Sequence, residues 1–279
     1  MKHYTLLLLL AILSFSCRHE NDIDTHLVTF SVDVLSIDRD SAFADVSRVP
    51  SATPSDITLS QANMTDLWVF EGSTILAHQH TGDANFGSPS VSLSYGQHYI
   101  TFIASSQSGQ QFVSGTWSAD KANDCFGSVE DVDVSSATSS QAVVLKRCTY
   151  GLKWQSTDIV PPGVAKLRLS VSSMRESMQE GLHAVDGYER VYDYNVTSYV
   201  GRVVSVTVYG LPEYYGQEDN ITSTIEFLSS TDAVLYSHTR TVPVLTNRRT
   251  IITGPLFNGS ANSSILLNSE WLEDYETNL

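Results

Sequence analysis

Positive charge is scarce in this chain: sixteen Lys and Arg stand against thirty-one Asp and Glu, a formal net charge of −15. A field of that sign repels phosphate backbones, and no basic patch with interleaved aromatics offsets it, so nucleic acid is excluded as a partner. Long apolar runs are missing as well. The longest, Leu6 to Leu13, has eight residues, well short of the ~20 needed to span roughly 30 Å of hydrocarbon as a helix. Catalytic signatures are also wanting: there is no G-x-S-x-G elbow, no H-E-x-x-H helix, no phosphate-cradling G-x-x-x-x-G-K and no dinucleotide fingerprint. Charged residues make up only 17% of the chain, while Ser, Thr, Val and Tyr abound, a composition of half-buried strands rather than helices. The expectation is a non-enzymatic, all-β protein without a cofactor.

What is present begins at the first residues. Lys2, the short apolar run and small Ser16 describe an export signal. Cys17 directly follows Ser16 and precedes the polar stretch Arg18-His19-Glu20-Asn21-Asp22-Ile23-Asp24. The junction looks like a bacterial lipoprotein processing site, in which the thiol is acylated and becomes the first mature residue. The alternative is an ordinary secretory signal with an unrelated cysteine. Removal of residues 1–16 leaves 263 residues, enough for one large β-domain or two ordinary ones. Cys125 and Cys148 are then the remaining cysteines, a candidate disulfide in an oxidising compartment or two separately buried thiols. A bridge would close a loop of about two dozen residues and contribute roughly 3 kcal/mol in the chain-entropy view.

Strand signals follow one another along the chain. In Leu27–Leu35, Val28, Phe30, Val32 and Val34 share one face while Thr29, Ser31 and Asp33 share the other, the period of a half-buried strand. Periodicity is then lost from Ser36 to Met64, a stretch that carries Arg39, Arg48, Pro50 and Pro54 and reads as an exposed connection open to a trypsin-like protease. Asp66 to Leu76 reads as a hairpin around Gly72-Ser73, with Gly72 supplying the positive φ of the turn. Val91 and Leu93 before Tyr95-Gly96, and Tyr99 to Ala104 after it, predict a second hairpin. Lys121 to Ser140 reads as a polar, acidic loop holding Cys125, and Ser172 to Gly187 as a segment with a short helical turn. Strands are expected at Thr149–Trp154, Val164–Val171, Tyr188–Val196, Arg202–Tyr209, Thr222–Leu228, Ala233–Thr239, Arg248–Thr253 and Ser264–Leu267. Many short strands at turn-punctuated spacing predict β-sandwich architecture in two domains meeting near Lys146-Arg147.

Candidate ligand groups are few. His78 and His80 lie two apart, so a strand puts them on one face, but no third ligand accompanies them in sequence and no metal is expected. Glu130-Asp131-x-Asp133 lacks the oxygen spacing of a calcium loop and reads as a solvated acidic turn. Tyr214-Tyr215, flanked by Glu213, Glu218 and Asp219, is either a sugar-stacking platform or a pair of ordinary strand tyrosines.

Five segments, taken together, resemble the fimbrillin family that builds the type V surface pili of Bacteroidota. They are the lipoprotein start with Leu27–Leu35, Asp66-Leu67-Trp68-Val69-Phe70-Glu71-Gly72, and Tyr95-Gly96-Gln97-His98-Tyr99-Ile100-Thr101-Phe102-Ile103-Ala104. Val144 to Leu152 and Thr246 to Phe257, the latter leading into a final strand and Trp271, complete the set. The resemblance implies two tandem transthyretin-like β-sandwich domains after the lipoprotein signal. The boundaries are residues 1–16 for the signal, 17–26 for an acidic tether, 27–147 for the first sandwich and 148–279 for the second with its donor strand. It further implies assembly by strand addition, in which a cut after Arg39 or Arg48 would release the strand bearing Val28, Phe30, Val32 and Val34. A neighbour's C-terminal segment would refill the groove, here represented by Ser263 to Leu272 with Ile265 and Leu267 alternating. In anchor subunits of such fibres the lipid is kept and the cut is not made. The partners implied are other fimbrial subunits, the outer membrane through lipid at Cys17, and a host or bacterial surface ligand. A lipid-anchored glycan-binding protein of a polysaccharide-uptake system is the alternative reading.

Overall fold

The computed structural model describes residues 24–35, 56–106, 109–119, 124–258, 264–269 and 273–277. It is built almost wholly of strands, and among the described residues no helix is long and apolar enough to cross a membrane. In the first half, β1 (Thr25–Leu35) is an interior strand. On one side Thr29–Val34 runs parallel to Ser140–Leu145 of β10 (Ser140–Arg147). On the other side its start lies antiparallel to β5 (Ser90–Ser94) and its end antiparallel to β2 (Asp56–Thr58). The second layer runs β9 (Cys125–Val134), β6 (Gly96–Ser105), β3 (Asp66–Glu71), β4 (Thr74–His80). Strand β10 passes from one layer to the other, because its last residues, Lys146 and Arg147, pair with Gly127 and Phe126 of β9. Alternating apolar side chains of β1, β3, β5, β6, β9 and β10 fill the space between.

The second half repeats the plan with β16 (Ser205–Gly210), β11 (Tyr150–Ser156), β19 (Arg249–Gly254), β20 (Ser264–Ser269) and β21 (Glu273–Thr277) in one sheet. The facing sheet holds β15 (Tyr188–Asn195), β12 (Lys166–Met174), β17 (Asp219–Leu228) and β18 (Val234–Val244). Its core is centred on Tyr150, Trp154, Leu169, Phe227 and Ile252. Buried Trp154 also donates its indole N–H to Ser223 Oγ at 2.9 Å, which satisfies its one polar atom.

A further small sheet stitches the halves together. Hairpin β7 (Gln111–Val113) and β8 (Thr116–Ser118) pairs through β8 with β13 (Ser177–Gln179), which in turn pairs with β14 (His183–Val185). Beneath it Trp68, Phe70, Ile103, Trp117, Met178, Leu182 and Leu211 form a separate apolar cluster. Gly127 lies in this seam without room for a side chain: a Cβ there would stand 2.7 Å from Leu182 and 2.8 Å from Cys148 Sγ.

Three expectations are corrected. Tyr95-Gly96 is no hairpin turn, because β5 pairs with β1 while β6 pairs with β3 and β9; the chain crosses between layers there. Lys121–Ser140 is not one loop: β9 occupies ten of its residues. Its Val132 and Val134 point inward and Asp131 and Asp133 outward, an alternation masked by the acidic density. The exposed connection expected through Met64 ends earlier, since Leu59, Ala62 and Met64 are buried in the first core. The helical turn expected in Ser172–Gly187 is a single 3-10 turn, Glu180–Leu182, between strands.

Candidate functional site

The first candidate is the strand that can be exchanged. Val28, Phe30, Val32 and Val34 of β1 are each at most 2% exposed, as period-two alternation demands of a strand with one buried face. Phe30 meets Phe102 edge-on at a centroid distance of 5.1 Å. Where β2 and β5 leave the middle of β1 unpaired, the loop between β4 and β5 supplies acceptors: Phe30 N–H donates to the Pro89 carbonyl at 2.9 Å and Val32 N–H to that of Gly87 at 2.8 Å. Burial of four such side chains is worth roughly 6–12 kcal/mol, so β1 contributes substantially to the first core. Arg39, Arg48 and Cys17 lie outside the described residues.

The candidate donor residues are in β20. Ile265 pairs with Ile252 and Leu267 with Thr250, so β20 lies antiparallel along the free edge of β19 in its own chain, and β21 covers β20 in turn. The remaining residues of the expected donor, 263 and 270–272, lie outside the described residues.

Cys125, the first residue of β9, and Cys148, directly after β10, are brought together. Their main chains bond directly, Cys148 N–H to the Cys125 carbonyl at 2.9 Å, and both side chains are buried thiols. A hydrogen bond to Cys148, with burial behind it, pushes the Cys125 thiol well above its ordinary range. That holds it protonated and unreactive as a nucleophile. Beside the pair, Arg147 is 3% exposed and grips Asp124 with two nitrogens at 2.6 and 2.9 Å. It also reaches Asn247 Oδ1 at 3.4 Å and lies over the Phe126 ring at 5.0 Å.

Tyr214 and Tyr215 are 47% and 40% exposed. Tyr214 stacks on His183 at 4.8 Å with 9° between the rings. Of the flanking carboxylates, Glu213 and Asp219 are tied to Arg175 at 2.9 and 2.6 Å. Glu130, Asp131 and Asp133 spread along β9 rather than converge. Elsewhere Glu176, 1% exposed, is held by Arg190 and by the Tyr188 hydroxyl.

The side chain that sequence spacing did not supply is Asp66. It lies opposite His80 in the β3–β4 ladder, with Trp68 opposite His78. Asp66, His78 and His80 bring three ligand-type atoms within 4.8 Å of one another. Burial, the largest influence, holds His78 below its ordinary 6.5 against the opposing pull of Asp66, so its imidazole is neutral at pH 7. The signal for Asp66 is long-range register, which no local motif carries.

No protein-family model matches the chain, and no curated protein matches it. Solved structures do. The chain is similar to a Bacteroides ovatus ATCC 8483 protein assigned to cell adhesion, with a TM-score of 0.52, 7% identity, and 88% of this chain and 98% of that chain covered. It is also similar to a Bacteroides thetaiotaomicron VPI-5482 protein assigned to polysaccharide binding, at a TM-score of 0.49 and 9% identity over 90% and 98% of the two chains. The fimbrial anchor protein Mfa2 of Porphyromonas gingivalis matches at a TM-score of 0.47 and 8% identity over 90% and 100%. At such identities the likeness is one of fold alone, and the fold shared with the first of these is all-β.

Proposed function

We propose that this protein is a non-enzymatic structural subunit of a surface fimbria, an outer-membrane anchor or minor subunit that supports adhesion and joins its neighbour by β-strand addition. It divides near residues 147 and 148 into two sandwiches, is lipidated at Cys17 and is exposed on the cell surface. One observation carries the reading. Strand β20 extends the sheet beyond β19, paired with β19 on one side and with β21 on the other. Such a strand can leave its own edge and enter a groove on another subunit with its main-chain hydrogen bonds exchanged like for like. Strand β1 lies in its own groove in the uncut chain. The Bacteroides ovatus relative in fold, assigned to cell adhesion, agrees with this role.

Deletion of residues 264–279 tests it. The truncated protein is expected to stay folded and membrane-bound while other fimbrial subunits no longer co-purify with it. Undiminished co-purification would overturn the reading.

A second reading, a lipid-anchored glycan-binding protein, draws on the exposed Tyr214-Tyr215 pair and its stacking on His183. It requires affinity for a soluble glycan that is lost in Tyr214→Ala.

A further inference from the structure

We propose that Asp66, His78 and His80 form a binding site for a divalent transition-metal ion, at the corner of the first sandwich where the β3–β4 hairpin meets the seam between the halves. The site follows from register. Alternation sets Asp66 and Trp68 on the outer face of β3, and their cross-strand partners His80 and His78 share that face. Asp66 Oδ1 stands 3.2 Å from His78 Nε2 and 2.6 Å from His80 Nδ1. Tetrahedral zinc with bonds near 2.0–2.1 Å places its donor atoms about 3.3 Å apart. The first pair already fits, and a small rotation of His80, 59% exposed, opens the second.

Two further observations distinguish this cluster from a chance meeting of surface groups. The Asp66 side chain is 2% exposed, and its second oxygen accepts the Thr65 hydroxyl at 2.9 Å, the outer-shell partner that orients a carboxylate ligand. Thr65 is itself fixed, its backbone N–H donating to the Ser105 carbonyl at 2.8 Å. His78 lies flat on Trp68 at 3.5 Å with 18° between rings, and Trp68 is backed by Phe112 of β7 at 6.2 Å. The imidazole is therefore pre-positioned by packing. Two imidazole nitrogens and one carboxylate oxygen suit zinc, copper or nickel rather than calcium or magnesium, which take oxygen ligands.

The bland account is that both imidazoles merely hydrogen-bond a buried carboxylate. The two are separated by zinc titration of the detergent-solubilised mature chain, prepared without a histidine tag and followed by calorimetry. Cobalt absorption in the visible range gives a second readout. The proposal expects one ion per chain, cobalt ligand-field bands, and no competition from calcium. His80→Ala, at an exposed position that leaves the fold intact, should abolish the bands, and Thr65→Val should weaken zinc by about 10–100-fold. Absence of zinc binding in the wild type, or equal binding and unchanged bands in His80→Ala, would overturn it.

Discussion

The two halves of the molecule solve the same topological problem differently. Each pairs its first strand in parallel with a strand near its end, β1 with β10 and β11 with β19. In the second half the first strand is continuous with the chain before it: β11 begins three residues after β10 ends. It is flanked by β16 and β19, and β19 carries the β20–β21 hairpin on its far edge. In the first half, β1 is followed by residues 36–55 before β2 resumes, so a cut in that interval separates the strand from everything after it. Equally buried first strands thus differ in covalent setting: β11 follows β10 directly, whereas residues 36–55 separate β1 from β2, where the proposed cut would free it.

The largest test of that contrast removes β1. A chain beginning at Val49 should lose cooperative unfolding of the first half, since the strand's burial, roughly 6–12 kcal/mol, rivals the whole stability of a domain. Addition of a peptide corresponding to Leu27–Leu35 should restore it, read by near-ultraviolet circular dichroism. Failure of the peptide to restore folding would break the claim that β1 is held by non-covalent contacts alone. Next, Phe30→Ala and Leu152→Ala should each cost about 3–5 kcal/mol in denaturant unfolding, as both sites are fully buried. Phe30→Ala alone should also speed proteolysis between residues 36 and 55. Arg147→Ala strips Asp124 and Asn247 of a shared partner at the junction of the halves, and a loss of roughly 3 kcal/mol is expected.

The smallest effect is a pH dependence confined to the first half. Burial disfavours the charged form of His98, yet the hydrogen bonds it donates to Glu71, then to the Ser94 carbonyl, hold its pKa above 6.5. A raised folded value contributes stability that is fully present below about 6.5, the unfolded value, and is lost as pH rises through the folded one. Between pH 6 and 8.5 the wild type should therefore lose slightly more unfolding free energy than His98→Asn, by less than about 1 kcal/mol, since Glu71 is still 34% exposed.

Local patterns in the chain carry a large part of this architecture, and long-range pairing carries the rest. The alternation of Val28, Phe30, Val32 and Val34 identifies β1 and its buried face because strand periodicity is a local property. Gly72, at φ +54°, marks the β3–β4 turn for the same reason. By contrast, Tyr95-Gly96 has the composition of a hairpin turn, and only the partners of β5 and β6 reveal a crossing between layers. β9 was hidden by Glu130, Asp131 and Asp133, whose outward carboxylates read as a loop when their inward neighbours are not weighed. Asp66 joins His78 and His80 only through antiparallel register, so a reading confined to neighbours in sequence finds two ligands and misses the third. The seam sheet, drawn from residues near 115 and near 180, is illegible for the same reason.

The intact mass of the protein recovered from the bacterial surface tests the central proposal most directly. An anchor that keeps β1 predicts a chain beginning at lipid-modified Cys17. A lipid-free chain beginning at Asp40 or Val49 would contradict it, because β1 would then have left its groove with the lipid.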